Sequence, residues 1–211
     1  MNDFKAKMQS YFKGLKDLVV KLIVKPADFF RDMPKTGGLL DPVIFVLLTS
    51  LLGVLLNVIT LIVTAGVSLS MVAVWLVTVP IIMLIMSFFI AGICYAAWAF
   101  MGSKENFETS YRCLAYMQIL SPIMILISIV PYLGLVCIAW WLYLMVIATR
   151  EVHKVSVKPA LAVFGIMAAI VGLIYYSSVA STMRDKERLE EYTKELQKMP
   201  DTDSLGNPIN R

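Results

Sequence analysis

The sequence predicts an all-α, polytopic membrane protein with five transmembrane helices, and three observations carry that prediction. The 211-residue chain is 59% hydrophobic and 16% charged, whereas soluble domains are about 45–50% apolar and about 25% charged. No Asp, Glu, Lys or Arg occurs in residues 42–103, 113–149 or 159–183. Uncharged apolar stretches of about 18 residues or more are typical of membrane spans. The composition therefore excludes a soluble enzyme, a nucleic-acid-binding protein and a secreted disulfide scaffold.

The first uncharged block is long enough for two spans, because a helix crosses about 30 Å of hydrocarbon with about 20 residues. We place the break within residues 65–71, where glycine and serine interrupt a run of Leu, Ile and Val. Spans one and two are then expected at about residues 43–64 and 72–100. Pro80 is expected to kink the long second span or to lie near its entry into the hydrocarbon.

The second uncharged block is divided by Pro131-Tyr132-Leu133-Gly134, which is a turn signal. It predicts two short spans joined by a hairpin; the alternative is one kinked helix of about 55 Å. The fifth span is expected at about residues 160–181. With these bounds no span contains an ionisable side chain, which argues against a proton-coupled transporter.

Five spans place the two ends of the chain on opposite sides of the membrane. Of the 19 Lys and Arg residues, 13 lie on the side of the N-terminus and six on the side of the C-terminus. The positive-inside rule therefore predicts a cytoplasmic N-terminus and an external C-terminus. Charges interrupt the first 41 residues every few positions, so the first span is expected to act as an uncleaved signal anchor.

Three segments follow from this pattern: a basic entry segment at 1–41, the membrane domain at 42–183, and a charged helix with its tail at 184–211. In the entry segment, apolar residues recur at helical spacing with lysines on the opposite side. This predicts an amphipathic helix in the membrane interface, where lysines meet anionic lipids; packing on the protein's own cytoplasmic face is the compatible alternative. The interface side chains are Phe4, Met8, Tyr11, Phe12, Leu15, Leu18, Val19 and Leu22.

Residues 184–199 combine a narrow apolar stripe with opposite charges four residues apart, such as Glu190 and Lys194. We expect this charged C-terminal helix to continue the fifth span outside the membrane. It would pair there with a copy of itself or with another partner, and the alternative is a solvated extension. The candidate partner stripe is Leu189, Tyr192, Leu196 and Met199.

The sequence offers no basis for catalysis, a metal or a cofactor. It contains no nucleophile paired with a base and no glycine-rich phosphate loop, and its three cysteines lack ligand spacing. Nucleic acid is not an expected partner. Small residues at packing spacing, Gly92 with Ala96 and Gly165 with Ala169, are expected to bring helices together.

Charged and aromatic side chains concentrate at the cytoplasmic edge, in the two short connections around residues 104–112 and 150–158. Basic pockets at this depth bind phospholipid head groups, so these residues are a candidate head-group or partner cluster. Ordinary positive-inside anchoring with a structural ion pair is the alternative. The cluster comprises Tyr111, Arg112, Arg150, Glu151, His153 and Lys158, near Lys104, Glu105 and Glu108.

Ordered motifs over about residues 26–180 resemble bacterial members of the Yip family of five-span membrane proteins, which are Ypt/Rab-interacting proteins. One departure is Ala148, where that family pattern leads us to expect glycine. The motifs are Pro26, Phe29-Phe30, Met33-Pro34, Gly37-Gly38, Pro42, Phe107, Tyr111-Arg112, Ala115-Tyr116, Pro122, Pro131, Gly134, Trp140 or Trp141, Arg150-Glu151-Val152-His153, Ser156, Lys158 and Ala160.

The resemblance implies a five-helix domain with a cytoplasmic N-terminus, in a bacterial cytoplasmic (inner) membrane. Eukaryotic relatives bind prenylated small GTPases and shape or sort vesicle membranes. A bacterium has no such vesicle traffic, so we do not carry that activity over.

Two functions fit these observations. The first is a non-enzymatic scaffold or adaptor that organises lipids or partner membrane proteins, with anionic lipids and self-association among its expected contacts. The second is a lipid-handling or small-solute carrier without an ionisable relay in the membrane. A central cavity lined by Asn57, Ser87 and Gln118 would favour the carrier, whereas helices packed through small residues would favour the scaffold.

Overall fold

The computed structural model describes residues 17–65, 68–127 and 129–198, and the regular secondary structure in these ranges is helical throughout. Residues 17–24 are helical and are called α1. Seven further helices follow: α2 (Pro26–Asp32), α3 (Leu40–Ala65), α4 (Leu69–Phe100), α5 (Phe107–Met117), α6 (Leu120–Ile127), α7 (Gly134–Glu151) and α8 (Val157–Lys198).

Five stretches of helix are long and apolar enough to cross a membrane, which confirms the predicted number of spans. α5 and α6 together make the third span, and each other span is a single helix. The five stretches are Leu40–Ile62, Leu69–Phe100, Phe107–Ile127, Gly134–Glu151 and Val157–Glu195.

The third span begins at Phe107, six residues before the predicted start. The side chain of Asn106 caps α5 by accepting a hydrogen bond from the Thr109 N–H at 2.9 Å, as capping residues commonly do. The prediction that no span contains an ionisable side chain is therefore wrong, because Glu108 and Arg112 both lie in this helix.

The third span is also broken at residues 118–119. Pro122 has no N–H and cannot donate to the Gln118 carbonyl four residues earlier. That carbonyl instead accepts from the Ser121 N–H at 2.9 Å, in a tighter turn. The break therefore follows from one proline and lies near the middle of the span.

α5 lies at the centre of the bundle, where it contacts α3, α4 and α7. All nine residues from Thr109 to Met117 are buried. Phe29 of α2 and Phe45 of α3 each pack edge-on against Tyr116, with ring centroids 5.6 and 5.3 Å apart. The core of the fold is thus densest around the first half of the third span.

A tight turn joins the third span to the fourth, and the fourth span packs against the fifth beside that turn. Residues 129–133 form the predicted hairpin between α6 and α7, and Tyr132 adopts a positive φ of 64° within it. A Cβ at Gly134 would lie 2.5 Å from Cζ of Tyr175 on α8. Any larger residue at this position would therefore require the Tyr175 ring to move.

α4 and α8 lie at the periphery of the bundle. Only 11% of the apolar window of α4 and 17% of that of α8 are buried within the chain. α8 has 42 residues and is about 63 Å long, roughly twice the thickness of the hydrocarbon. The predicted continuation of the fifth span into a charged helix is confirmed as one unbroken element.

The two predicted pairs of small residues do not hold these peripheral helices against their neighbours, although other small residues such as Ala91 and Ala160 are buried. A Cβ built on Gly92 or on Gly165 would meet no atom within 4 Å, and Ala96 and Ala169 are exposed. The predicted packing role of these pairs is wrong within the single chain, because both pairs face outward.

Candidate functional site

The segment that precedes α3 is fastened to the start of α5 by a cycle of polar contacts around Gly38. Arg112 donates to the Gly38 carbonyl at 2.5 Å and to Glu108 at 3.3 Å. The same carboxylate oxygen of Glu108 accepts from the Gly38 N–H at 2.7 Å. The Arg112 side chain is only 2% exposed, so its charge is neutralised inside the fold.

Lys35 extends this cycle to a second carboxylate and to the end of α7. Its ammonium group lies 2.5 Å from Glu105 and donates to the Val152 carbonyl at 3.2 Å. The Lys35 carbonyl accepts from the Thr109 hydroxyl at 3.1 Å. We call this set the entry latch: Lys35, Gly38, Glu105, Glu108, Thr109 and Arg112.

The geometry of the entry latch requires glycine beside Arg112. Gly37 and Gly38 have φ values of +123° and +85°, a region that side chains strongly disfavour. A Cβ on Gly37 would approach an Arg112 nitrogen at 3.2 Å. The two glycines therefore allow the entry segment to lie close against α5.

His153 lies in a second buried site, beyond the end of α7. Its ring stacks on Trp98 of α4 with centroids 3.9 Å apart, and its Nδ1 lies 2.8 Å from the Ser103 hydroxyl. Trp98 in turn donates from its indole nitrogen to Thr149 of α7 at 2.7 Å. The His153 Nε2 is buried without a hydrogen-bond partner among the described residues.

Burial, together with the nearby positive charge of Lys35, lowers the pKa of His153 to about 3. His153 is therefore neutral at physiological pH and is unsuited to bind an anionic head group as a cation. It joins α4 to the loop between α7 and α8 as a buried aromatic ring.

Stability is expected to fall on acidification. The unfolded chain protonates His153 near its ordinary pKa of 6.5, whereas the folded protein resists protonation until about pH 3. Protons therefore favour the unfolded state, and the free energy of unfolding should drop by about 2 kcal/mol from pH 7 to pH 5. Thermal unfolding in nanodiscs at both pH values measures this difference.

The chain contains a single histidine, which provides a clean control for that experiment. His153→Phe keeps an aromatic ring against Trp98 and removes the titrating group. Its midpoint of unfolding should change much less between pH 7 and pH 5. An equal slope in the two proteins would assign the effect to carboxylates instead.

The predicted head-group cluster is divided by the fold. Tyr111, Arg112 and His153 are buried, and the Tyr111 hydroxyl lies 3.1 Å from Ser87 of α4. The prediction of one surface cluster is corrected for these three, because the interior contacts occupy them.

The remaining members lie at the surface. Arg150 is 56% exposed and pairs with Glu151 at 2.7 Å, and Glu151 also meets Arg31 of α2 at 3.4 Å. Lys158, Lys154 and Lys104 are exposed. Arg150, Lys158 and the nearby Lys104 are therefore the cations of the predicted cluster that remain exposed.

The predicted interface side chains near the N-terminus and the predicted partner stripe near the C-terminus lie only partly within the described residues. Outside them are Phe4, Met8, Tyr11, Phe12, Leu15 and Met199. Leu22 is fully buried, and Leu18 and Val19 pack against the core. The described end of that helix therefore contacts the protein itself, which was the alternative interpretation. On α8, Leu189 and Tyr192 are 65% and 60% exposed, and the surroundings of the Leu196 side chain are not described.

Two clefts flank α6 at the depth of the break in the third span. The Gln118 cleft has a volume of about 260 Å³ and is lined by Ser87, Gln118, Ser121, Cys137 and Trp141, among others. The Asn57 cleft has a volume of about 270 Å³ and is lined by Ser50, Asn57, Trp75 and Ser121, among others. No Asp, Glu, Lys, Arg or His is among the described residues that line either cleft.

Most span hydroxyl groups are satisfied within their own helices. Thr49 and Ser50 donate to carbonyls one turn earlier in α3, at 2.9 and 2.7 Å. Ser87 does so in α4 at 2.7 Å while also contacting Tyr111. Hydrogen bonds between helices, such as that of Ser87 with Tyr111, are therefore the exception among these hydroxyl groups. Gln118 and Asn57 line clefts instead.

Sequence reasoning missed Trp98 and the partners of Arg112. Asn106 followed by Thr109 was a usable capping signal for a helix that starts at Phe107. Pro122 was a usable signal for the break. Lys35 and Glu105 are 70 residues apart, so no local sequence pattern predicts their ion pair.

Comparison with known proteins gives one family. The family model described as the Yip1 domain matches residues 20–179, about three quarters of the chain. These residues include the entry latch, both clefts and the described part of the bundle up to the middle of α8. No curated protein and no solved structure matches the chain significantly.

Proposed function

The chain belongs to the Yip1 domain family and is an integral membrane protein, and on that premise we propose that it is a non-enzymatic scaffold or adaptor. In this role it organises lipids or partner membrane proteins, including copies of itself, in a bacterial cytoplasmic membrane. In this role the protein acts through the outer surfaces of its helices and does not convert a substrate.

The main support for the proposal is the large exposed surface of α8. This helix packs mainly on α7 and leaves most of its apolar window outside the fold. Beyond its apolar part α8 continues as a charged helix on which Leu189 and Tyr192, three residues apart, are exposed. An exposed apolar stripe on a charged helix is typical of a surface that pairs with another helix.

Photoreactive amino acids at four positions of α8 test this surface. Probes in place of Leu189 or Tyr192 should cross-link to one defined species, either a second copy or another membrane protein, in native membranes. Glu187 and Lys194 lie on the opposite side of the helix, because successive residues turn by about 100°. Probes there are the matched controls, and equal cross-linking at all four positions, or at none, would count against an adaptor surface.

The proposed orientation has a cytoplasmic N-terminus and an external C-terminus. The exposed Lys104, Lys154 and Lys158 lie together at the latch end of the bundle, as the positive-inside rule expects of a cytoplasmic face. All three native cysteines are buried, so an impermeant maleimide has little background. Glu187→Cys should label in intact cells and Lys154→Cys only after permeabilisation; the reverse pattern would invert the topology.

Lipid handling is the second candidate, and the clefts favour it. Two of the three residues named for a central cavity, Ser87 and Gln118, line one cleft, and Asn57 lines the other. The two predicted small-residue pairs, Gly92 with Ala96 and Gly165 with Ala169, make no such packing within the chain. Movement of fluorescent lipid between leaflets of vesicles containing the purified protein tests this role, and an unchanged rate would remove it.

A further inference from the structure

We propose that the Gln118 cleft binds a neutral lipid: a molecule with a long apolar body and a hydroxyl or carbonyl oxygen but no charged head group. Diacylglycerol and isoprenoid quinones share this chemistry. The site extends beyond the scaffold role, because it lies inside the bundle and uses none of the α8 surface.

The depth of the cleft sets what can reach it. Gln118 is 11 residues beyond Phe107, the start of the third span. At about 1.5 Å per residue this is about 16 Å, near the middle of a hydrocarbon layer about 30 Å thick. A phospholipid head group stays in the interface, whereas a lipid without charge can place its polar atoms at this depth.

At that depth two polar side chains lack a hydrogen-bond partner within the described part of the chain. The side chains of Gln118 and Ser121 have no hydrogen-bond partner among the described residues, although other span hydroxyl groups, such as those of Thr49 and Ser50, bond to carbonyls of their own helix. An amide without a partner is unfavourable in an apolar medium. Together they offer donors and acceptors to one or two oxygen atoms of a ligand.

The broken helix beside the cleft supports the same conclusion. Irregular backbone in a membrane is tolerated where it is buried in protein or lines a cavity. Leu114, Met117, Leu120 and Ser121, which flank the break, all line the Gln118 cleft. The break and the cleft are therefore one feature of the third span.

The lining also selects against charge. No Asp, Glu, Lys, Arg or His is among its described residues, so a phosphate or carboxylate in the cleft would have no counter-charge. Met117 and Met124 line the apolar part, and flexible methionine side chains adapt to irregular ligands. A neutral lipid with an oxygen atom near Gln118 satisfies both the apolar and the polar part of the lining.

Tryptophan fluorescence in nanodiscs of phosphatidylcholine tests the site. Trp141 lines the cleft, and the neighbouring Trp140 lies outside the described lining. The working protein carries Trp75→Phe and Trp140→Phe, and its matched control carries Trp75→Phe and Trp141→Phe. Both keep Trp98, which is fully buried and contributes a constant background.

Four additives are compared: dibrominated diacylglycerol, a short-chain isoprenoid quinone, dibrominated phosphatidylcholine and dibrominated phosphatidylglycerol. Saturable quenching of Trp141 by diacylglycerol, by the quinone or by both supports the site and names the source. The control protein should be quenched equally weakly by all brominated lipids. Equal quenching of Trp141 by the brominated phospholipids, or no saturable quenching, would overturn the proposal.

Two variants keep the test specific. Gln118→Leu removes the amide in an apolar setting and should weaken the saturable quenching about tenfold, as expected for one lost hydrogen bond. Ser121→Ala should weaken it less and covers the case in which Gln118→Leu fails to fold. Asn57→Leu, in the other cleft, is the control and should leave the saturable quenching unchanged. If Gln118→Leu and Ser121→Ala both bind with unchanged affinity, the proposal is overturned. That result would not affect the scaffold proposal, which the cross-linking of α8 tests separately.

Discussion

Replacing Arg112 by alanine is expected to lower the free energy of unfolding by about 3–5 kcal/mol, the usual loss when one partner of a buried ion pair is removed. The change leaves the Gly38 carbonyl without its strongest donor and leaves Glu108 without its buried cation. It also releases the entry segment from the start of α5. The midpoint of thermal unfolding, measured in nanodiscs, should fall accordingly.

Arg150→Ala is the matched control, because Arg150 belonged to the same predicted cluster but is 56% exposed. Exposed ion pairs contribute about 0–1 kcal/mol, so its stability should stay close to that of the parent protein. If anionic lipid binds at this end of the bundle, Arg150→Ala should reduce the lipid that co-purifies. Equal loss of stability in the two variants would show that the entry latch is not a buried structural element.

The number and order of the spans could be predicted because hydropathy depends on composition over about 20 residues. The start of the third span could not be predicted from the same rule. Its first turns carry Glu108 and Arg112, and a search for uncharged segments excludes such residues. These charges are tolerated because Gly38 and the Lys35–Glu105 pair complete a neutral cycle around them.

The candidate site was predictable only in part, for a related reason. Sequence reasoning placed Tyr111, Arg112 and His153 together at one end of the bundle but could not tell which way their side chains face. Their partners Ser87, Gly38 and Trp98 come from segments 24 to 74 residues away. Only the packing of α4 and the entry segment against α5 and α7 turns these three side chains inward.

The described structure thus combines a closely packed centre with outer helices that are little buried. The entry latch and the Trp98–His153 stack fix the densest part of the bundle with polar and aromatic contacts. The outer faces of α4 and α8 remain free of contacts within the chain over most of their apolar length. A packed centre with open outer helices is compatible with the scaffold role proposed above.

Trp98→Ala is expected to destabilise the protein by about 3–5 kcal/mol, as is typical of a large buried aromatic residue. Trp98 is fully buried, donates to Thr149 of α7 and packs edge-on against Phe164 of α8, with ring centroids 5.5 Å apart. Its loss would leave a cavity among three spans and remove the ring that covers His153. The free energy of unfolding in urea measures the first effect.

The second effect distinguishes this site from an ordinary cavity. With Trp98 removed, water reaches the imidazole, and the pKa of His153 should rise from about 3 toward its ordinary value near 6.5. Because the chain has one histidine, its ring resonances report that pKa directly in an NMR titration. Trp98→Phe keeps the stacked ring and loses the bond to Thr149, so it should cost only about 1–3 kcal/mol and leave the pKa low. An unchanged His153 pKa in Trp98→Ala would mean that Lys35 and the surrounding backbone, and not the indole, keep this histidine neutral.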